Sequence, residues 1–117
     1  MVAYALGRLE ARNPRPHRDV IEYIERIQAT LDPYGGAFLV HGVPVEVREG
    51  AWLGGLVLIG FPGMAEARAW YDSPAYQEII PLRTDHITGD IVLVEGVPSG
   101  YDPRELADKM RAETDAL

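Results

Sequence analysis

The stretch Phe61-Pro62-Gly63-Met64-Ala65-Glu66-Ala67-Arg68-Ala69-Trp70-Tyr71-Asp72-Ser73-Pro74-Ala75-Tyr76-Gln77 encodes a strand end, a helix, a turn and a second helix. The apolar run Leu56-Val57-Leu58-Ile59 closes at Phe61, and Pro62-Gly63 stops strand pairing because proline has no N–H to donate. Met64, Ala67 and Tyr71 then recur at helical spacing, with Trp70 beside them. Ser73 is suited to cap a new helix, and Pro74 falls at its first position, where a missing donor costs nothing. Tyr76, Ile79 and Ile80 are the residues expected to seat that helix.

Upstream, Val2 to Glu10 alternates as a strand, and its small residues suit close packing under helices. Asn13-Pro14-Arg15-Pro16 turns the chain. From His17 to Leu31 the period becomes helical, with Val20, Ile24, Ile27 and Leu31 on one stripe. Asp32-Pro33-Tyr34-Gly35-Gly36 ends that helix. Ala37 to His41 is a short strand, Val45 to Glu49 an extended piece, and Gly50 to Gly55 a loop that lifts out Trp52. Leu56 to Phe61 is apolar on both faces. Downstream, Arg83 to His86 reads as a polar connection and Asp90 to Glu95 as the last strand. After the Gly96–Gly100 linker, Asp102 caps a tail helix that opens with Pro103 and Glu105, carries Leu106 and Met110, and is expected to fray after Arg111.

The order β-α-β-β-α-β plus a tail predicts an α+β fold: an antiparallel four-stranded sheet with helices on one face. Residues 1–97 form the domain and 98–117 the linker and C-terminal helix. Such a sheet would be bare on one side, whereas Leu56–Phe61 and Ile91–Val94 call for cover on both. A homodimer packed sheet to sheet is the expected remedy, since apolar burial yields roughly 25 cal/mol per Å².

The composition narrows the partners. A net charge of −7 disfavours nucleic acid and anionic membranes. The cationic residues are scattered apart from Arg12, Arg15 and Arg18. No apolar run approaches the roughly 18 residues that span a bilayer, and Met1–Glu10 lacks signal-peptide character, so a cytoplasmic location is expected. With no Cys there is neither a thiolate nucleophile nor a Cys-based metal centre.

Tyr34-Gly35-Gly36, Phe61-Pro62, Ala67, Trp70-Tyr71, Ser73-Pro74, Tyr76-Gln77, Arg83, Asp90 and Leu93-Val94-Glu95-Gly96 together resemble the bacterial family called domain of unknown function 1330. The resemblance spans about Tyr4 to Gly96. It implies a ferredoxin-like β-α-β-β-α-β subunit forming a dimeric α+β barrel, here with an extra C-terminal helix. The wider superfamily includes cofactor-free monooxygenases of antibiotics and quinones, muconolactone isomerase, dye-decolourising peroxidases and stress-induced proteins. Two departures stand out. Gly63 replaces a frequent Ser, and Arg15-Pro16-His17 replaces the usual Asp-Pro opening of the first helix, leaving Tyr23 as the tyrosine that still fits.

Chemistry is sparser than fold. His17, His41 and His86 show no zinc-helix spacing, and neither a Rossmann fingerprint, a P-loop nor a serine elbow is present, so neither metal nor cofactor is expected. Arg83-Thr84-Asp85-His86 is the densest polar cluster: Arg83 to clamp a carboxylate or enolate, His86 to move a proton, Asp85 to orient it. Its alternative is a surface loop in which Arg83 ties down Asp90 or a helix end. Tyr23, His41, Trp70 and Tyr76 are the candidate ligand-binding residues, otherwise core and edge groups. The expected function is binding or converting a small aromatic or anionic molecule without cofactor, monooxygenase-like or isomerase-like. The alternative is a non-catalytic ligand-binding or stress-related structural module.

Overall fold

A computed structural model describes residues 1–116; Leu117, the end of the expected tail, lies outside the described residues. The elements are β1 (Ala3–Ala11), α1 (Arg18–Leu31), a 3-10 turn (Asp32–Tyr34), β2 (Ala37–Val40), β3 (Gly55–Phe61), α2 (Met64–Asp72), α3 (Pro74–Thr84), β4 (Ile87–Glu95) and α4 (Pro103–Asp115). The sheet order is β2-β3-β1-β4, antiparallel throughout. This is the ferredoxin-like arrangement with an added C-terminal helix.

The expected barrel is not what the chain forms. Its sheet is open: β2 pairs only with β3, and β4 only with β1. A barrel requires the first and last strands to meet, and four strands of ordinary twist leave these two edges apart. Within one chain the helices cover one face of the sheet and leave the other bare, as the element order predicts. Ala3, Ala5 and Gly7 point to the helices, registered with Phe61, Ile59 and Val57 on one side and Glu95, Leu93 and Ile91 on the other. Tyr4, Leu6 and Arg8 alternate to the opposite face with Leu58 and Val92.

The stretch 61–77 folds as its chemistry dictates. Ser73 Oγ accepts from the Tyr76 N–H at 3.3 Å and donates to the Trp70 carbonyl at 2.7 Å, so one buried hydroxyl ends α2 and begins α3. Trp70, Tyr76, Leu31 and Ile79 are the largest fully buried side chains. Trp70 also donates from Nε1 to Thr30 Oγ1 at 3.0 Å, so its indole is buried without an orphaned donor. Gly36 permits the tight entry into β2: a Cβ there would stand 2.8 Å from Phe61 Cε1 and 2.7 Å from Leu31 Cδ2.

Several boundaries differ from expectation. Arg83 lies in the last turn of α3 and not in a connection, and β4 begins at Ile87, three residues early. α4 runs past Arg111 to Asp115, while residues 45–49, read as an extended piece, pair with no strand. α4 buries none of its residues. The radius of gyration is 17.3 Å, against about 13 Å for a compact chain of this length, so the added mass stands away from the core. No helix among the described residues is long and apolar enough to cross a membrane.

Candidate functional site

Helices α1 and α3 cross the sheet with a cavity of about 220 Å³ beneath them. Its floor is Ala5, Gly7 and Leu9 of β1 with Val57, Ile59 and Ile91 of the neighbouring strands. Val20, Tyr23, Ile24 and Ile27 of α1 form one wall, and Trp70, Tyr76 and Arg83 the other. Ile24, expected in the core, stays half-exposed because it stands at this cavity and not over packed side chains. His41, exposed and stacked on Phe38 with ring centroids 4.5 Å apart, lines the solvent side.

Polar groups in the cavity are few and close together. The hydroxyls of Tyr23 and Tyr76 are 2.7 Å apart, and the Trp70 ring lies tilted against Tyr76 with centroids 4.1 Å apart. Arg83 is 4% exposed, with its guanidinium carbon 5.5 Å from the centre of the Tyr23 ring. Its Nε has no hydrogen-bond partner, and no carboxylate lies within ion-pair distance of it among the described residues. Burial pushes the guanidinium pKa down, but the oxygens of Tyr23 and Tyr76 beside it outweigh that, so the group stays charged. Burial, then the Tyr23 oxygen, push the Tyr76 phenol far above its ordinary value. Tyr76 is therefore a neutral donor and not a base.

Tyr23, His41, Trp70, Tyr76 and Arg83 thus come together around one cavity. His86 and Asp85 do not join them. Asp85 is exposed at the end of α3, where its carbonyl accepts from Arg12 Nη1 at 3.0 Å. His86 faces the start of α1: its ring stacks on His17 at 3.7 Å, nearly parallel, and its Nε2 lies 3.0 Å from Asp19 Oδ2. His17 Nδ1 in turn accepts from the Asp19 N–H at 3.0 Å and caps α1. His17, Asp19 and His86 bring three ligand-type atoms within 4.8 Å of one another. One nitrogen of each ring is engaged, His17 Nδ1 in the cap and His86 Nε2 with the carboxylate. The cluster fastens β4 and α3 to the head of α1. Asp19 and its role were not read from the sequence, since three residues separated by up to 69 positions show no local pattern.

The likenesses to solved structures establish the fold. A protein of unknown function from Rhodopseudomonas palustris matches with 15% identity and a TM-score of 0.56, over 83% of each chain. SnoaB, a cofactor-independent oxygenase from Streptomyces nogalater, matches with 13% identity and a TM-score of 0.57, over 86% of this chain and 98% of its own. None of the curated proteins matches the chain. The model of the family described as Domain of unknown function (DUF1330) matches residues 2–97.

Proposed function

The chain belongs to that family, and from this premise we propose that it is a cytoplasmic protein that binds a small aromatic or anionic molecule in the cavity under α1 and α3. The observation that carries this reading is Arg83, almost wholly buried, charged and without a carboxylate partner among the described residues. Arg83 has phenol oxygens beside it but no anionic counter-charge, and a buried cation kept in that state beside an apolar cavity is placed to meet an anion or a polarised oxygen. Arg83 and the neutral Tyr76 phenol are the donors, Tyr23 and Trp70 the flat walls, and His41 the group at the entrance.

Conversion without cofactor is the fuller form of this proposal. SnoaB shares the fold and is a cofactor-independent oxygenase, and donors preorganised around an oxygen stabilise an enolate or phenolate. Binding without turnover is favoured by a different observation: His86 and Asp85, the proton-transfer pair read from the sequence, lie outside the cavity. Thermal-shift screening against small aromatic acids, quinones and lactones tests the cavity. Mass analysis of any ligand after aerobic incubation then separates the two forms: a product supports conversion, and an unchanged ligand supports binding alone. No hit in the screen would sink both.

The chain is further proposed to pair with a second copy. Leu39, Val92 and Val94 are about half exposed or more, and the helices leave that sheet face uncovered. Such an apolar expanse on a small domain marks an association surface.

A further inference from the structure

The cavity has a fixed charge of one. Of its twenty lining residues, Arg83 is the only one permanently ionised, and none is Asp or Glu. Apart from Arg83 and His41, the polar side-chain atoms are two phenol oxygens bonded to each other and an indole N–H donating to Thr30. Everything else is aliphatic, aromatic or glycine.

We infer that the cavity selects organic acids bearing a single negative charge on an otherwise uncharged, apolar body: ring carboxylates and acidic enols or phenols. This deepens the reading above and rests on it. A monoanion makes a neutral pair with the guanidinium, so neither charge is left unmatched in apolar surroundings. A phosphate ester brings close to two charges and would leave one against Val, Ile and Gly. A zwitterion carries an ammonium that needs a carboxylate acceptor, and the lining supplies none. A neutral analogue leaves Arg83 as it stands, without a counter-charge. The net charge of −7 on the whole chain adds long-range repulsion against multiply charged anions.

Size agrees with charge. A cavity of about 150 Å³ takes one benzene ring, and this one offers about 220 Å³. One ring with a short substituent fits, and the Trp70 and Tyr23 faces suit a flat one.

Calorimetric titration at pH 7 with benzoate, benzyl alcohol, phenyl phosphate and phenylalanine tests this, since the ring is constant and only the head group changes. Benzoate is expected to bind at least about tenfold more tightly than each of the other three, as a charge-assisted contact implies. In Arg83→Met, benzoate should fall to the affinity of benzyl alcohol, which should itself be unchanged. If that variant does not fold, the four-probe ranking on the wild type decides alone. Benzyl alcohol, phenyl phosphate or phenylalanine matching benzoate overturns the inference while leaving the cavity a binding site. Silence from all four while a quinone or lactone binds also overturns it. Silence from every compound overturns the cavity reading as well.

Discussion

The hydroxyl of Tyr23 on α1 lies 2.7 Å from the hydroxyl of Tyr76 on α3, a buried bond joining residues 53 positions apart. Each oxygen is the other's partner, so the bond holds the two helices at the spacing that leaves the cavity open. Replacing Tyr23 with Phe strands the Tyr76 hydroxyl, and a buried unsatisfied group costs about 1–3 kcal/mol. Adding Tyr76→Phe should cost much less than it does alone. Urea unfolding of the four members of this cycle gives the coupling; strict additivity would show that the bond contributes nothing.

Arg83→Lys keeps the charge and loses the planar fork of donors. Affinity for an anionic ligand should fall about tenfold or more, the value of a charge-assisted hydrogen bond. His86→Gln should leave that affinity unchanged, because His86 faces Asp19 and not the cavity. Titration of a screened ligand against both folded variants is the check. An effect of His86→Gln equal to that of Arg83→Lys would contradict the separation of the two sites.

The hydrogen bond from His86 holds the Asp19 carboxyl below its ordinary value of 3.8 against the opposing effect of burial, with a lesser contribution from the nearby His17. The unfolded chain therefore takes up this proton first as pH falls. The stabilisation is complete above 3.8 and is lost as pH drops through the folded value. Urea midpoints of the wild type and Asp19→Asn should differ at pH 5 and converge below pH 4. A gap that persists unchanged to pH 3 would remove the ion pair as its cause.

Deleting residues 100–117 should move the melting midpoint by only a few degrees, about 1 kcal/mol or less for a domain of this size. α4 buries no side chain, and Leu106 and Met110 are both at least half exposed. Calorimetry at matched concentration decides it; a much larger loss would place the tail against the core or against a second copy.

Light scattering at micromolar concentration should give about twice 12.9 kDa for the wild type. Val92→Glu puts a charge on the half-exposed sheet face opposite Leu6 and should return the monomer mass. A monomeric wild type would show that the bare face has another purpose.

Ser73-Pro74 was legible because capping and proline geometry act within four residues, and the β-α-β-β-α-β order followed from periodicity. The start of β4 was not. Thr88-Gly89-Asp90 breaks the alternation, and Gly89 is drawn into the strand by its neighbour: a Cβ there would stand 2.2 Å from the Arg8 carbonyl oxygen. That is a tertiary constraint with no local mark. Pro81 argues against a helix, yet α3 continues to Thr84, which carries Arg83 on a rigid turn. Arg83 and His86 look like one cluster in the sequence, but the turn after α3 sends one side chain under the helices and the other to α1. The barrel was carried over from the family resemblance, whereas the strand pairing of this chain leaves two open edges.

The place of β1 at the centre of the sheet also sets a timetable for synthesis. The first strand made lies between β3 and β4, with Ala3 opposite Phe61 on one side and Glu95 on the other. At translation rates of about 5–20 residues per second, β1 waits roughly 5–20 s for its last neighbour. Until then β1 has β3 and the helices already made beside it, and a chain cut short before residue 87 leaves its central strand with an unpaired edge.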